Sequence, residues 1–122
     1  MRVRAARGAI VTAGPDADDV LTATERLLRA MLEANAVHDE DIVSVLFTAT
    51  EDLRSAFPAE AARRMGMGSV PLLCAQEIPV EGSMASVIRV LLHFYTGRDA
   101  DDVAHVYLDG AEGLRDDLDP RG

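Results

Sequence analysis

Apolar and polar positions along the chain switch between two periods. From Arg2 to Ala13 the apolar residues Val3, Ala5, Ala9 and Val11 fall on alternate positions, the period of a strand, and Gly14-Pro15 closes the run. Asp16 stands where a helix cap belongs, with Asp18 and Asp19 in the first turn, where the helix dipole favours acids. Val20, Leu21, Leu27, Leu28, Met31 and Leu32 then recur at helical spacing and predict an amphipathic helix over 17–35. A polar break at His38–Asp41 precedes a second strand, Ile42–Thr50, rich in apolar and β-branched residues. Pro58 suits the first turn of a short helix over 59–65, and Ser69–Glu77 reads as a third strand. Gly82-Ser83 opens a predicted third helix reaching Tyr95, Asp99–Asp102 is a turn, and Val103–Leu108 is a fourth strand. After Gly113 the sequence is polar and reads as a mobile tail. The expected class is α+β: one domain over 1–122, a mixed sheet packed with helices.

Two arginines disturb this pattern. Arg7 falls on the same strand face as Val3, Ala5, Ala9 and Val11. Arg89 sits among Val87, Ile88, Val90, Leu91, Leu92 and Phe94, which as a helix would be apolar nearly all round. In so small a domain, burial on two sides implies that a partner subunit covers one of them. An arginine in apolar surroundings needs an anion. Either both arginines form a structural ion-pair network, with Glu77 at the end of the third strand as partner, or they line a pocket for a small carboxylate, which a guanidinium grips bidentately.

Composition narrows the chemistry. The net charge of −9 disfavours nucleic acid and anionic membranes as partners. All twelve basic residues are arginine, so neither a Schiff-base lysine nor a Walker-type phosphate loop is available. The single cysteine, Cys74, permits no intrachain disulfide and fits a reducing compartment; its apolar strand suggests simple packing. Val87–Tyr95 is far short of the ~20 residues of a membrane span, and Arg7 interrupts any signal-like core, so a cytoplasmic location is expected. His38, His93 and His105 have no metal-ligand spacing, and no nucleophile motif occurs. Tyr107, between Val106 and Leu108, fits a half-buried core position.

A series of short motifs goes further. Arg7-Gly8-Ala9 is followed by Phe47-Thr48-Ala49-Thr50, Asp52-Leu53, Phe57-Pro58-Ala59 and Val70-Pro71-Leu72-Leu73-Cys74-Ala75-Gln76-Glu77. Ile88-Arg89-Val90, His105-Val106-Tyr107-Leu108 and Leu114-Arg115-Asp116-Asp117-Leu118 complete it. In this order, over about residues 1–118, the set resembles the small monofunctional bacterial chorismate mutases of the AroH class.

The resemblance implies an isomerase that converts chorismate to prephenate without cofactor or metal. It implies a homotrimer whose sheets form a pseudo α/β-barrel, with active sites between subunits. By the same resemblance Arg89 points at the ether oxygen, Arg7 and Tyr107 hold carboxylate, and Glu77 accepts a hydrogen bond from the ring hydroxyl. Leu73 and Cys74 line the pocket; Phe57, Ala59 and Arg63 come from the adjacent subunit; Leu114 and Arg115 lie on a tail over the mouth. One departure is Glu60, where the family often carries a basic residue. Two other readings stay open: a non-catalytic trimer that binds an aromatic precursor, and an imine deaminase of the RidA type.

Overall fold

The computed structural model describes residues 1–114. Its elements are β1 (Arg2–Val11), α1 (Ala17–Ala34), β2 (Ile42–Ala49), α2 (Ala59–Arg64), β3 (Leu72–Gln76), β4 (Val87–Thr96) and β5 (Val106–Leu108), with short 3-10 turns at Asp39–Asp41 and Ala100–Asp102. The strands form one mixed sheet in the order β3-β2-β4-β1-β5. β4 runs antiparallel to both β1 and β2, while the outer strands β5 and β3 run parallel to β1 and β2.

The expected third helix over 82–95 is a strand. Val87–Thr96 is β4, the central strand of the sheet. A short apolar run reads alike as a buried helix or a buried strand, and here the β-branched Val87, Ile88 and Val90 favour the extended form. Ile88, Val90, Leu92 and Phe94 point into the core, and the odd positions face the other way. Arg89 is therefore not the odd residue of a greasy helix but a member of the second sheet face.

Helices α1 and α2 cover a single face. Val20, Leu27, Leu28 and Met31 of α1 and Ala59 and Ala62 of α2 pack against Ala6, Ile10, Val45, Phe47, Ile88, Leu92 and Phe94. Helix α1 begins at Asp16 as expected, with Asp19 Oδ2 accepting the Asp16 N–H at 3.2 Å. It ends at Asn35, whose side chain donates to Met31 O at 2.9 Å. Gly8 lets α1 lie close on β1: a Cβ there would stand 2.4 Å from Met31 Sδ.

The opposite face is largely bare. Val3 (47% exposed), Leu46 (36%), Leu73 (61%) and Tyr95 (49%) stand on it. Among the described residues it is covered at one end, where the chain beyond β5 folds back and Ala111 and Leu114 pack on Ala9 and Val87. Among the described residues no helix is long and apolar enough to cross a membrane.

Candidate active site

Strand registry gathers the polar residues of the bare face. One row crosses all five strands as Ala75, Thr48, Arg89, Ala9 and Tyr107, each beside the next. The neighbouring row runs Leu73, Leu46, Leu91 and Arg7. Because side chains alternate, two rows of one face are two residues apart on every strand. Ala9, between Arg89 and Tyr107, is covered by Ala111 and Leu114, so the hollow opens beside it, over the row of Leu46, Leu91 and Arg7. The resulting cleft of about 360 Å³ is lined by Arg7, Thr48, Glu77, Arg89, Leu91 and Tyr107 among others.

Glu77 directly follows β3, and its N–H continues the ladder by donating to Ala49 O at 2.9 Å. Its carboxylate is held twice: the Thr48 hydroxyl donates to Oε2, and Arg89 Nε lies 3.0 Å from Oε1. The Arg89–Glu77 pair is only partly buried, with side chains 30% and 28% exposed. Although close, Arg89 Nε does not aim its hydrogen at the carboxylate and makes no hydrogen bond. Tyr107 likewise buries a hydroxyl that has no partner among the described residues. Of three such buried orphans there, these are two, the third being Thr12 Oγ1. Nearly all buried polar groups in folded proteins are satisfied, so two such groups at one cleft single it out as the candidate site.

The two expectations for the arginines are thus divided between them. Arg89 has the partner that the ion-pair reading named, Glu77. Arg7 lines the same cleft with no ion pair among the described residues. Thr48 belongs to a quoted motif but carried no assigned role; with 82–95 read as a helix, no strand register existed to set it beside Arg89.

The remaining candidates lie elsewhere. Phe57 (73% exposed) and Cys74 line a second cleft of about 360 Å³, with Leu53, Ala56 and Pro58. Cys74 also packs against the core, as its apolar strand suggested. Ala59 buries its side chain in the core at the start of α2. Arg63 is exposed and paired with Glu60 at 3.1 Å, while Arg64 Nε stands 3.5 Å from the other oxygen of that carboxylate. Leu73 is on the bare face, at the β3 end of the row of Leu46, Leu91 and Arg7. Leu114, expected on a mobile tail, is buried against Ala9, Val87 and Tyr107; Arg115 lies outside the described residues. No group of three His, Cys, Asp or Glu residues that could hold a metal occurs among the described residues.

The comparisons with known proteins agree with one another. Residues 3–118 match the family described as chorismate mutase type I. The chain is 52% identical to the chorismate mutase AroH of Thermus thermophilus over 96% of its own length and 97% of that protein's. It is 38% identical to the chorismate mutase AroH of Bacillus subtilis over 97% and 94%. A solved chorismate mutase of Clostridium thermocellum superposes with a TM-score of 0.89 at 46% identity, covering 90% of this chain and 98% of that one. The sheet, the arginine-lined cleft and these full-length similarities lead to one conclusion: the chain belongs to the type I chorismate mutase family.

Proposed function

We propose that the protein converts chorismate to prephenate, working in the cytoplasm as a step of aromatic amino acid biosynthesis. The observation that carries this reading is the bare-face cleft, which gathers Arg7, with no ion pair among the described residues, and an Arg89 Nε and a Tyr107 hydroxyl that make no hydrogen bond there. A flexible dicarboxylate supplies the acceptors they lack. The reaction is an intramolecular Claisen rearrangement in which one C–O bond breaks as one C–C bond forms. No proton moves and no nucleophile is required, so the residues have two tasks. They hold the substrate in its compact reactive conformer. They also stabilise the negative charge that grows on the ether oxygen as its bond to carbon lengthens.

Arg89 takes the second task. Its attachment to Glu77 fixes the guanidinium before substrate arrives, so little reorganisation accompanies the charge shift. Glu77, oriented by Thr48, has acceptor capacity for the ring hydroxyl. Arg7 and Tyr107 hold carboxylate. The exposed Val3, Leu46, Leu73 and Tyr95 form an apolar face that a monomer would leave in water, which supports a homotrimer closing its sheets into a barrel. In that assembly the Phe57 cleft of one subunit meets the arginine cleft of the next, bringing Phe57, the Ala59 backbone and Arg63 to the substrate. Cys74 shares the Phe57 cleft, so it arrives from the neighbour together with Phe57. Leu114, packed against Tyr107, borders the cleft.

The test is the loss of chorismate absorbance in the near ultraviolet, with Arg89→Ala and Arg89→Lys beside the parent. Removing one preorganised donor slows turnover about 10²–10³-fold, and Arg89→Ala, which also removes a full charge, should exceed that. Arg89→Lys keeps the charge but loses the planar fork and should retain partial activity. A folded Arg89→Ala protein with near-parental turnover and a much lower melting temperature would make the arginine a structural partner of Glu77 and end this mechanism.

A further inference from the structure

We infer that His105 is a positioning residue that sets Arg7 against Tyr107 for binding of the substrate carboxylate. The inference rests on the function proposed above and concerns the β1–β5 edge of the same cleft. β5 is held to β1 by only three residue pairs, Gly8 with Val106, Ala9 with Tyr107 and Ile10 with Leu108. Three pairs at a sheet edge are a weak hold for a strand that carries a ligand-binding tyrosine. At the Arg7 end the pairing is extended by a side chain: the Arg7 N–H donates to His105 Nδ1 at 3.0 Å. The residue before it is clamped from the other side. Asn35, 1% exposed at the end of α1, accepts the Ala104 N–H at 2.8 Å and donates to Ala104 O at 2.9 Å.

The chain thus enters β5 with residue 104 fixed to α1 and the ring of residue 105 fixed to the backbone of Arg7. Two residues later it delivers Tyr107. The bond uses the lone pair of Nδ1 as its acceptor. His105 does not line the cleft. It acts through the Arg7 main chain, fixing where that side chain departs from β1 relative to the Tyr107 hydroxyl. Because carboxylate is held alike in ground state and transition state, the effect belongs to KM more than to kcat.

The decisive variants are His105→Leu, which removes the acceptor, and His105→Asn, whose amide oxygen can stand close to the Nδ1 position. His105→Leu should raise KM for chorismate by about tenfold, the effect of one lost neutral hydrogen bond, while kcat changes much less. His105→Asn should restore most of the parental KM. In an Arg7→Lys background, His105→Leu should add little, since the arm it sets is already impaired. Equal KM values for parent and His105→Leu, equal damage from Leu and Asn, or full additivity with Arg7→Lys would each overturn the proposal. A readout that does not depend on turnover is nitrogen NMR of the labelled parent protein. It should show an unprotonated Nδ1 coupled across the hydrogen bond to the Arg7 amide. A protonated Nδ1 or no such coupling refutes the positioning role, whether or not the protein consumes chorismate.

Discussion

Gly8 lies between the two functions of β1, and its replacement by alanine measures how tightly they are tied. On one side of the strand Arg7 lines the cleft; on the other, Gly8 faces α1. An alanine Cβ would stand 2.4 Å from Met31 Sδ and 3.1 Å from both Leu27 Cδ1 and Met31 Cε. The first distance is more than 1 Å inside ordinary contact between non-bonded heavy atoms. Met31 and Leu27 are both fully buried, so neither can swing into solvent to make room. Overpacking of this kind costs about 1–3 kcal/mol. Restricting the unfolded chain returns about 0.4–1 kcal/mol of it. A net loss of about 1–2 kcal/mol lowers the melting temperature by roughly 4–8 °C for a domain of this size. Thermal unfolding must be followed at one fixed protein concentration, because association contributes to apparent stability. The chorismate assay on the same sample should show reduced turnover, since β1 must shift relative to α1 and carries Arg7 with it. Met31→Ala in the Gly8→Ala background removes the clashing atoms, so the double variant should be more stable than the sum of the single losses by about 1 kcal/mol or more. An unchanged or raised melting temperature for Gly8→Ala, or strict additivity with Met31→Ala, would refute the close approach as the reason for glycine.

Sedimentation should give three chain masses for the parent, and Leu73→Asp, which charges the bare apolar face, should yield a smaller species; a Leu73→Asp protein that still sediments as a trimer would place the interface elsewhere. Mixing Arg89→Ala chains with Phe57→Ala chains should restore partial activity, because some interfaces then contain two intact halves; no recovery in mixed trimers contradicts a shared site. Glu60→Gln frees Arg63 and Arg64 from their carboxylate and removes a negative charge near the dianion, so KM should fall, more at low ionic strength than at high; a KM that rises or shows no salt dependence would count against this. Hydrogen bonds from the Thr50 and Ser86 side chains outweigh burial and hold the Asp52 carboxyl below its usual range. A lowered folded-state value means that its stabilisation is present above the unfolded carboxylate pKa and is lost as pH falls through the folded one. Asp52→Asn should therefore melt lower than the parent at neutral pH and converge with it in acid; a gap that persists below about pH 3 would remove Asp52 as its source.

Much of the fold is legible where a single period dominates. Helix α1 is marked by its apolar stripe and by the acids of its first turn, and β1 by its alternation. β4 is marked only weakly, because its outer face carries Val87, Leu91 and Tyr95 as well as Arg89 and His93, which blurs the alternation with Ile88, Val90, Leu92 and Phe94. Gly82-Ser83 then looked like a helix start. That one misreading hid the site's geometry, since Arg89 joins Thr48, Ala9 and Tyr107 only through strand register. Arg7, Glu77, Arg89 and Tyr107, which line one cleft, were named from motif resemblance, which needs order along the chain and not periodicity. Thr48 and His105 escaped because their parts are played through hydrogen bonds to Glu77 and to the Arg7 main chain. Neither bond leaves a trace in residue type alone.

The row Ala75, Thr48, Arg89, Ala9 and Tyr107 takes one residue from every strand of the sheet. A slip of one position in any strand would turn that strand's contribution over to the helix side. Activity therefore has no graded relation to folding. A chain with four strands in place and one out of step does not keep a fraction of the cleft; its lining is incomplete, and a slip of β1, β4 or β5 would drive Arg7, Arg89 or Tyr107 to the helix side. During refolding, turnover should appear only after the final strand has locked, later than compaction or the growth of secondary structure. Chorismate consumption would then serve as a clock for the last event in the folding of this sheet.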